Sequence, residues 1–238
     1  KKVVDEKKAE NKTNKNQIYV GIGVFAALTI FGIYSSFQVT IEESCDNFMK
    51  NYENKIIDTS NKSIVTTNIM NDTVNEFYRL TKTDSYRNSS YEEQLEIHTT
   101  LFSNFNINLA SLEEDLELIN SLNFAYSSEH EDLEQVVYLF ELYKFKTVDI
   151  KTNELNYFYT FLQKVTLFEN FFYDWDQSTS EADKNRINNI FNEENKELTN
   201  ILSEIDTTTI SLIDEKNILK NNYVAYAANI CVDYTWED

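Results

Sequence analysis

The amino-acid sequence predicts an all-α protein: a single transmembrane helix followed by a multi-helix extramembrane bundle. Three observations carry that expectation. The 238-residue chain holds three glycines and no proline, and neither type occurs in the 206 positions after Gly32. Average usage would place roughly 25 such residues there. Hairpin turns that need φ > 0 strongly favour Gly, whereas helices need neither residue. Apolar side chains then recur every three or four positions, the period of one helix face. Finally, Asn16 to Ile41 is a run of 26 residues without a charge. Part of the Gly and Pro deficit follows from AT-rich coding, which also enriches Asn, Lys, Ile, Tyr and Phe.

Three segments follow: a charged tail over residues 1–17, a transmembrane helix over 18–37, and an acidic helical body over 38–238. Twenty helical residues rise about 30 Å, the thickness of a bilayer core. Tyr19 and Tyr34 stand near the two ends, at interfacial depth. A cleaved signal peptide fits less well, because the apolar run is long and no A-x-A-like site follows it. The tail carries six Lys against Asp5, Glu6 and Glu10, a net of +3, which leaves −22 for the rest of the chain. The positive-inside rule puts the tail in the cytoplasm or a mitochondrial matrix, and the body outside or in the intermembrane space. The chain opens on Lys1 rather than Met, as a processed chain or a fragment would. A charged tail of this length also suggests neighbours that hold it. Gly23 with Ala27, and Gly32 with Ser36, are small-xxx-small pairs suited to close packing between membrane helices.

In the body, Ile41, Cys45, Phe48, Tyr52 and Ile56 continue the first helix, so one helix is expected over about 17–58. Ile64, Val65, Ile69, Met70, Val74, Phe77 and Leu80 form a second periodic stretch. Thr81 to Ser90 is a polar loop, and Tyr91, Leu95, His98, Leu101, Phe102 and Phe105 mark the next helix. Ser111, Ser128 and Ser178 each stand three residues before a Glu, the capping-box pattern. They predict helices near 112–126, 129–147 and 181–205. Two further helices are expected over 153–175 and about 210–232.

Between Leu155 and Trp175 nine of 21 residues are aromatic, more than one amphipathic stripe needs. A central helix buried by its neighbours explains this. A partner surface built on Tyr157, Phe158, Phe161, Phe168, Phe172 and Trp175 is the competing reading, since aromatics concentrate at interface cores.

The net charge of −19 argues against nucleic acid, whose phosphates need a basic surface, and against adsorption to anionic lipid. No Lys or Arg occurs between Arg87 and Lys144, a stretch holding 12 acids. A solvated face is the ordinary reading; a docking face for a cationic protein is the sharper one. Cys45 and Cys231 lie near the two ends of the body. They are a candidate disulfide if a bundle returns its C-terminus to its start in an oxidising compartment, or else two buried thiols.

Little chemistry is legible. His98 falls on an apolar stripe, as a core or boundary histidine does, and His130 sits in an acidic helix start. Neither has zinc-site spacing, and Gly-dependent phosphate loops and nucleophile elbows have no material to form. Asp174, Asp176, Ser178 and Ser180 hint at a calcium loop, but Thr179 and Asn185 stand where its Gly and Glu belong. Asn61, Asn71 and Asn88 head glycosylation sequons, frequent by chance in so Asn-rich a chain. No catalytic residue, metal or cofactor is expected. The expectation is a structural or accessory subunit of a membrane complex, mitochondrial in one version. An extracytoplasmic sensor or adhesion module of an AT-rich bacterium is the alternative. An enzyme using paired carboxylates is the remote third reading.

Overall fold

In a computed structural model, the structure describes residues 41–124, 131–231 and 234–236. The expected tail (1–17), the expected transmembrane helix (18–37) with Gly23, Ala27, Gly32 and Ser36, and also Ser128 and His130, lie outside the described residues. Every regular element among those described is a helix. None of them is long and apolar enough to cross a membrane.

The chain enters as α1 (Ile41–Phe48) and continues through a π-helical stretch (Met49–Glu53) into α2 (Asn54–Leu80). The Asn54 N–H reaches the Met49 carbonyl, five residues back. A π turn inserts one extra residue, and the slower angular advance keeps two adjacent side chains, Tyr52 and Glu53, in the buried sector. A short α3 (Asp84–Arg87) follows, capped by the Thr83 hydroxyl, which accepts from the Tyr86 N–H. Then α4 (Tyr91–Leu101) starts on a reciprocal capping box. Glu93 N–H donates to Ser90 Oγ, and Ser90 N–H donates to Glu93 Oε2. α5 spans Phe105–Ser121.

The last two helices are far longer than the sequence pattern suggests. α6 runs Glu131–Gln177 and α7 runs Glu181–Ile230. At 1.5 Å per residue they are about 70 Å and 75 Å long. The expected breaks at 147–153 and 205–210 are absent, because those polar residues carry no Gly or Pro and Thr or Asn alone does not stop a helix with a packed face. Two of the expected caps also move. Ser111 lies inside α5. The cap of α7 is Ser180, not Ser178: Ser180 Oγ accepts from Asp183 N–H at 3.0 Å and donates to Asp183 Oδ2 at 2.6 Å.

α6 and α7 lie against each other more extensively than any other pair, and α2, α4 and α5 pack on α6. The main core is an inner layer of Met70, Val74 and Phe77 from α2, Phe105, Leu109 and Leu112 from α5, and Leu155, Phe158, Phe161 and Val165 from α6. Leu202 of α7 joins it. Each set repeats at three or four residues, so one face of each helix is committed. Phe77 sits at the centre, with the rings of His98, Phe102, Phe161 and Phe168 at 5.4–5.8 Å. From Cys45 to Asp238 the chain is one compact unit; of the other unit, Lys1–Ser44, only Ile41–Ser44 are described.

Cys45 and Cys231 are joined by a disulfide with Cα atoms 5.7 Å apart. It ties α1 to the end of α7 across 186 residues. Closing a loop of that length in the unfolded chain is worth about 5 kcal/mol on the chain-entropy account. Reduction, or Cys45→Ser with Cys231→Ser, is expected to lower the denaturant midpoint by up to this amount. Urea titrations with and without reductant measure it, and identical midpoints would refute the entropic contribution. Phe77→Ala is expected to cost about 3–5 kcal/mol in the same titration, since it empties the centre of the main core.

Candidate functional site

Sequence reasoning singled out the aromatics of α6, and the structure divides them. Phe158 and Phe161 are fully buried in the chain's own core. Tyr157 and Phe168 are half-buried against it. Phe172 packs on Tyr86 with ring centroids 5.8 Å apart. The partner-surface reading therefore needs correction for Phe158 and Phe161: α2 and α5 cover that side of α6 and leave no approach to it. Trp175 stays on the surface at 37% exposure, beside Phe171 and under the Lys184 ammonium at 5.3 Å.

Three constellations remain. The first surrounds His98, which is 3% exposed. The Tyr86 hydroxyl meets its Nε2 at 2.6 Å, and Glu169 Oε1 lies 3.0 Å from its Nδ1. Burial, and then the Glu169 charge, push the Tyr86 pKa far above the ordinary value of 10. Tyr86 therefore keeps its proton, and its hydroxyl and the Glu169 carboxylate engage the two ring nitrogens of His98 from opposite sides. The hydroxyl–imidazole–carboxylate connectivity is that of a catalytic triad. Its first member, however, is a buried phenol held in its acid form, a poor nucleophile. What the chain does is tie α3 and α4 to α6.

The second constellation lies at the disulfide end. Phe48, Tyr52, Phe124, Phe140, Tyr223 and Trp236 form a chain of ring contacts at 5.1–5.9 Å. Polar groups are embedded in it. Tyr52 donates to Glu141, and the buried Lys144 ammonium donates to the Tyr52 hydroxyl at 3.1 Å and to the Leu122 carbonyl. The Tyr234 hydroxyl donates to Glu53 Oε1 at 2.7 Å. Glu53 is 2% exposed, and its Oε2 is buried without a hydrogen-bond partner of ordinary geometry. The Tyr223 hydroxyl, equally buried, likewise has no hydrogen-bond partner of ordinary geometry. Burial raises the Glu53 pKa, and the two tyrosine hydroxyls offset part of that rise.

The third is a cleft of about 720 Å³ among the end of α2, the α3 turn and α4. Leu80, Ile97 and Leu101 give it apolar walls, and Glu76, Glu93 and Glu96 give it three carboxylates. No Lys, Arg or His lines it. Its rim is fixed by the two helix caps described above and by buried Gln94, whose amide donates to the carbonyls of Tyr86 at 2.9 Å and Ser89 at 3.4 Å. The sequence showed a polar loop between two periodic stretches here and no sign of a cleft. Glu53 likewise had no signal, since the π stretch that turns it inward leaves no residue signature.

Elsewhere several cations are engaged. Lys151 pairs with Glu154 within α6 at 2.8 Å, and Lys146 of α6 pairs with Glu215 of α7 at 2.8 Å. Lys164, 5% exposed, donates to Thr199 at 2.8 Å over the Tyr78 ring, and burial lowers its pKa. Of the sequon asparagines, Asn61 and Asn88 are exposed and Asn71 is half-buried. Among the described residues no group of three or more His, Cys, Asp or Glu side chains could hold a metal ion. No family model matches the chain, and no curated protein or solved structure does either.

Because folding raises the Glu53 pKa above the ordinary 4.5, its neutral form is the one the fold prefers. That contribution is fully present below the unfolded pKa and is lost as pH rises through the folded pKa. Each unit of difference corresponds to about 1.4 kcal/mol. Glu53→Gln keeps an acceptor for Tyr234 and cannot ionise. Urea midpoints followed from about pH 4 to about pH 8 should fall with pH in the parent chain and fall less in the variant. Parallel pH profiles would show that Glu53 is not the group responsible.

Proposed function

We propose that this protein is a non-catalytic structural or accessory subunit of a larger membrane protein complex. One N-terminal helix, residues 18–37, anchors it in the bilayer, and its helical surfaces contact neighbouring subunits. The observation that carries this reading is the 26-residue charge-free run between a tail of net +3 and a remainder of net −22. Length specifies the span and charge asymmetry its orientation. Gly23, Ala27, Gly32 and Ser36 supply a packing face for another membrane helix. The acidic body then lies outside the cytoplasm, or in a mitochondrial intermembrane space with the tail in the matrix. A bonded Cys45–Cys231 pair suits such an oxidising compartment.

Two further features support a body that meets other proteins. Tyr138, Phe145 and Tyr173 of α6 are 50–57% exposed, and Ile210 and Ile218 of α7 are about 60% exposed. Aromatic side chains carry much of the energy at interface cores. The acid-rich stretch from α4 into α6 offers a face for a cationic protein. Nucleic acid is not among the proposed partners. The second reading, an extracytoplasmic sensor or adhesion module of a bacterium, is favoured by the cleft beside α3 and α4.

Mild-detergent extraction from native membranes, a native gel and mass spectrometry of the band separate the two. Co-migration with a fixed set of membrane proteins is the expected result, and their identity gives the compartment. Migration alone or as a homo-oligomer overturns the subunit reading. Tyr138→Glu with Phe145→Glu is expected to release the chain from that band while leaving its circular dichroism unchanged. Retention of the double variant would move the contact off this face of α6.

A further inference from the structure

We infer that the cleft between α2, α3 and α4 is a binding site for a small organic cation with an apolar body, an aryl- or alkylammonium compound. The inference is independent of how the chain is anchored. Its volume of about 720 Å³ lies within the range typical of small-molecule sites, about 300–1,000 Å³. The walls pair apolar surface from Leu80, Ile97 and Leu101 with carboxylates at Glu76, Glu93 and Glu96. Such sites combine a mainly apolar lining with a few placed polar groups.

The sign of the ligand follows from which carboxylates are already engaged. Glu76 is held by the Arg79 guanidinium at 2.6 Å. Glu93 is committed to the Ser90 N–H at the start of α4. Glu96, exposed and one turn further along α4, makes no hydrogen bond or ion pair among the described residues. With three carboxylates and no cation in the lining, an anion would meet repulsion there. An ammonium group would meet an open carboxylate. Ile97 and Leu101 stand one turn apart on α4 and line the same cleft as Glu96, so charge and apolar body can both be held there.

The cleft is also built in advance of any ligand. Thr83 and Ser90 cap the helices on either side of it. Gln94, 2% exposed, bonds the carbonyls of Tyr86 and Ser89. Tyr86 is locked from behind by His98 and Glu169. A preformed rim lowers the ordering entropy that binding would otherwise require.

The probe is propranolol, an alkylammonium compound with an aryl ether body, in equilibrium dialysis against the full chain in detergent. Naphthoxyacetate, which keeps the ring and reverses the charge, is the control. Propranolol should occupy one saturable site, weaken as salt is added, and bind about fivefold less tightly to Glu96→Gln, the size of one partly exposed ion pair. Ile97→Lys, which puts a cation into the wall, should abolish saturable binding. Glu96 is exposed, so the first variant tests the site without disturbing the core. Three results would overturn the inference: no saturable binding of propranolol, equal binding by the parent and both variants, or equal binding of naphthoxyacetate. A linear, unsaturable uptake would mean that the acidic surface collects cations everywhere and that the cleft is not a site.

Discussion

The antiparallel pairing of α6 and α7 carries the rest of the body, because each depends on the other for part of its buried surface. Among the described residues α7 buries only Leu202, Tyr223 and Ala227 within its 50 residues. An isolated helix gains little from propensity alone, and this one has few apolar contacts to replace it. α6 is the opposite. It packs against α7 and also against α2, α4 and α5, so its aromatic excess serves several neighbours at once. The turn between them, 178–180, is three residues long and works without glycine because Ser180 satisfies the opening N–H groups of α7.

With so shallow an apolar seam, sliding α7 by one turn, about 5.4 Å, would change its buried area little. Polar contacts resist that slip. Lys164 to Thr199, Lys146 to Glu215 and Glu53 to Tyr234 each join distant points of the chain in one register. Such polar contacts add little net stability, and their better-attested role is specifying one arrangement among several of similar energy. The disulfide and the Trp236 ring, packed against Tyr143 and Tyr223 at 5.5 Å and 5.9 Å, fix the same register at the other end.

The helical class was legible because it follows from composition and period, which are global properties. Element boundaries were less so. The expected gaps near 147–153 and 205–210 rested on polar residues, but a helix ends when its capping alternatives outweigh the next turn, and Asn or Thr on a solvent face offers no such alternative. Ser111 mimicked a cap in mid-helix because its spacing to Glu114 is also an ordinary i, i+3 pair. The real capping box, Ser90 with Glu93, obeys the same pattern and was hidden in a loop defined by polarity. The aromatics from Tyr157 to Trp175 showed that α6 is central but not which side faced what. Phe158 and Trp175 look alike in sequence, and only packing separates a ring 1% exposed from one 37% exposed. The cleft and the inward turn of Glu53 depend on backbone irregularities, a short helix and a π turn, that side-chain type does not encode.

The bond between Cys45 and Cys231 also sets a clock. One cysteine is made 186 residues before the other, and ribosomes add about 5–20 residues per second. Cys45 therefore waits on the order of 10–40 s for its mate to be synthesised. During that interval the only thiol the nascent body possesses has no correct partner within its own chain. Any bond it forms then is with another molecule and must later be exchanged. The assembly of a fold closed by its first and last described helices thus depends on how well an early cysteine is kept from reacting until a late one arrives.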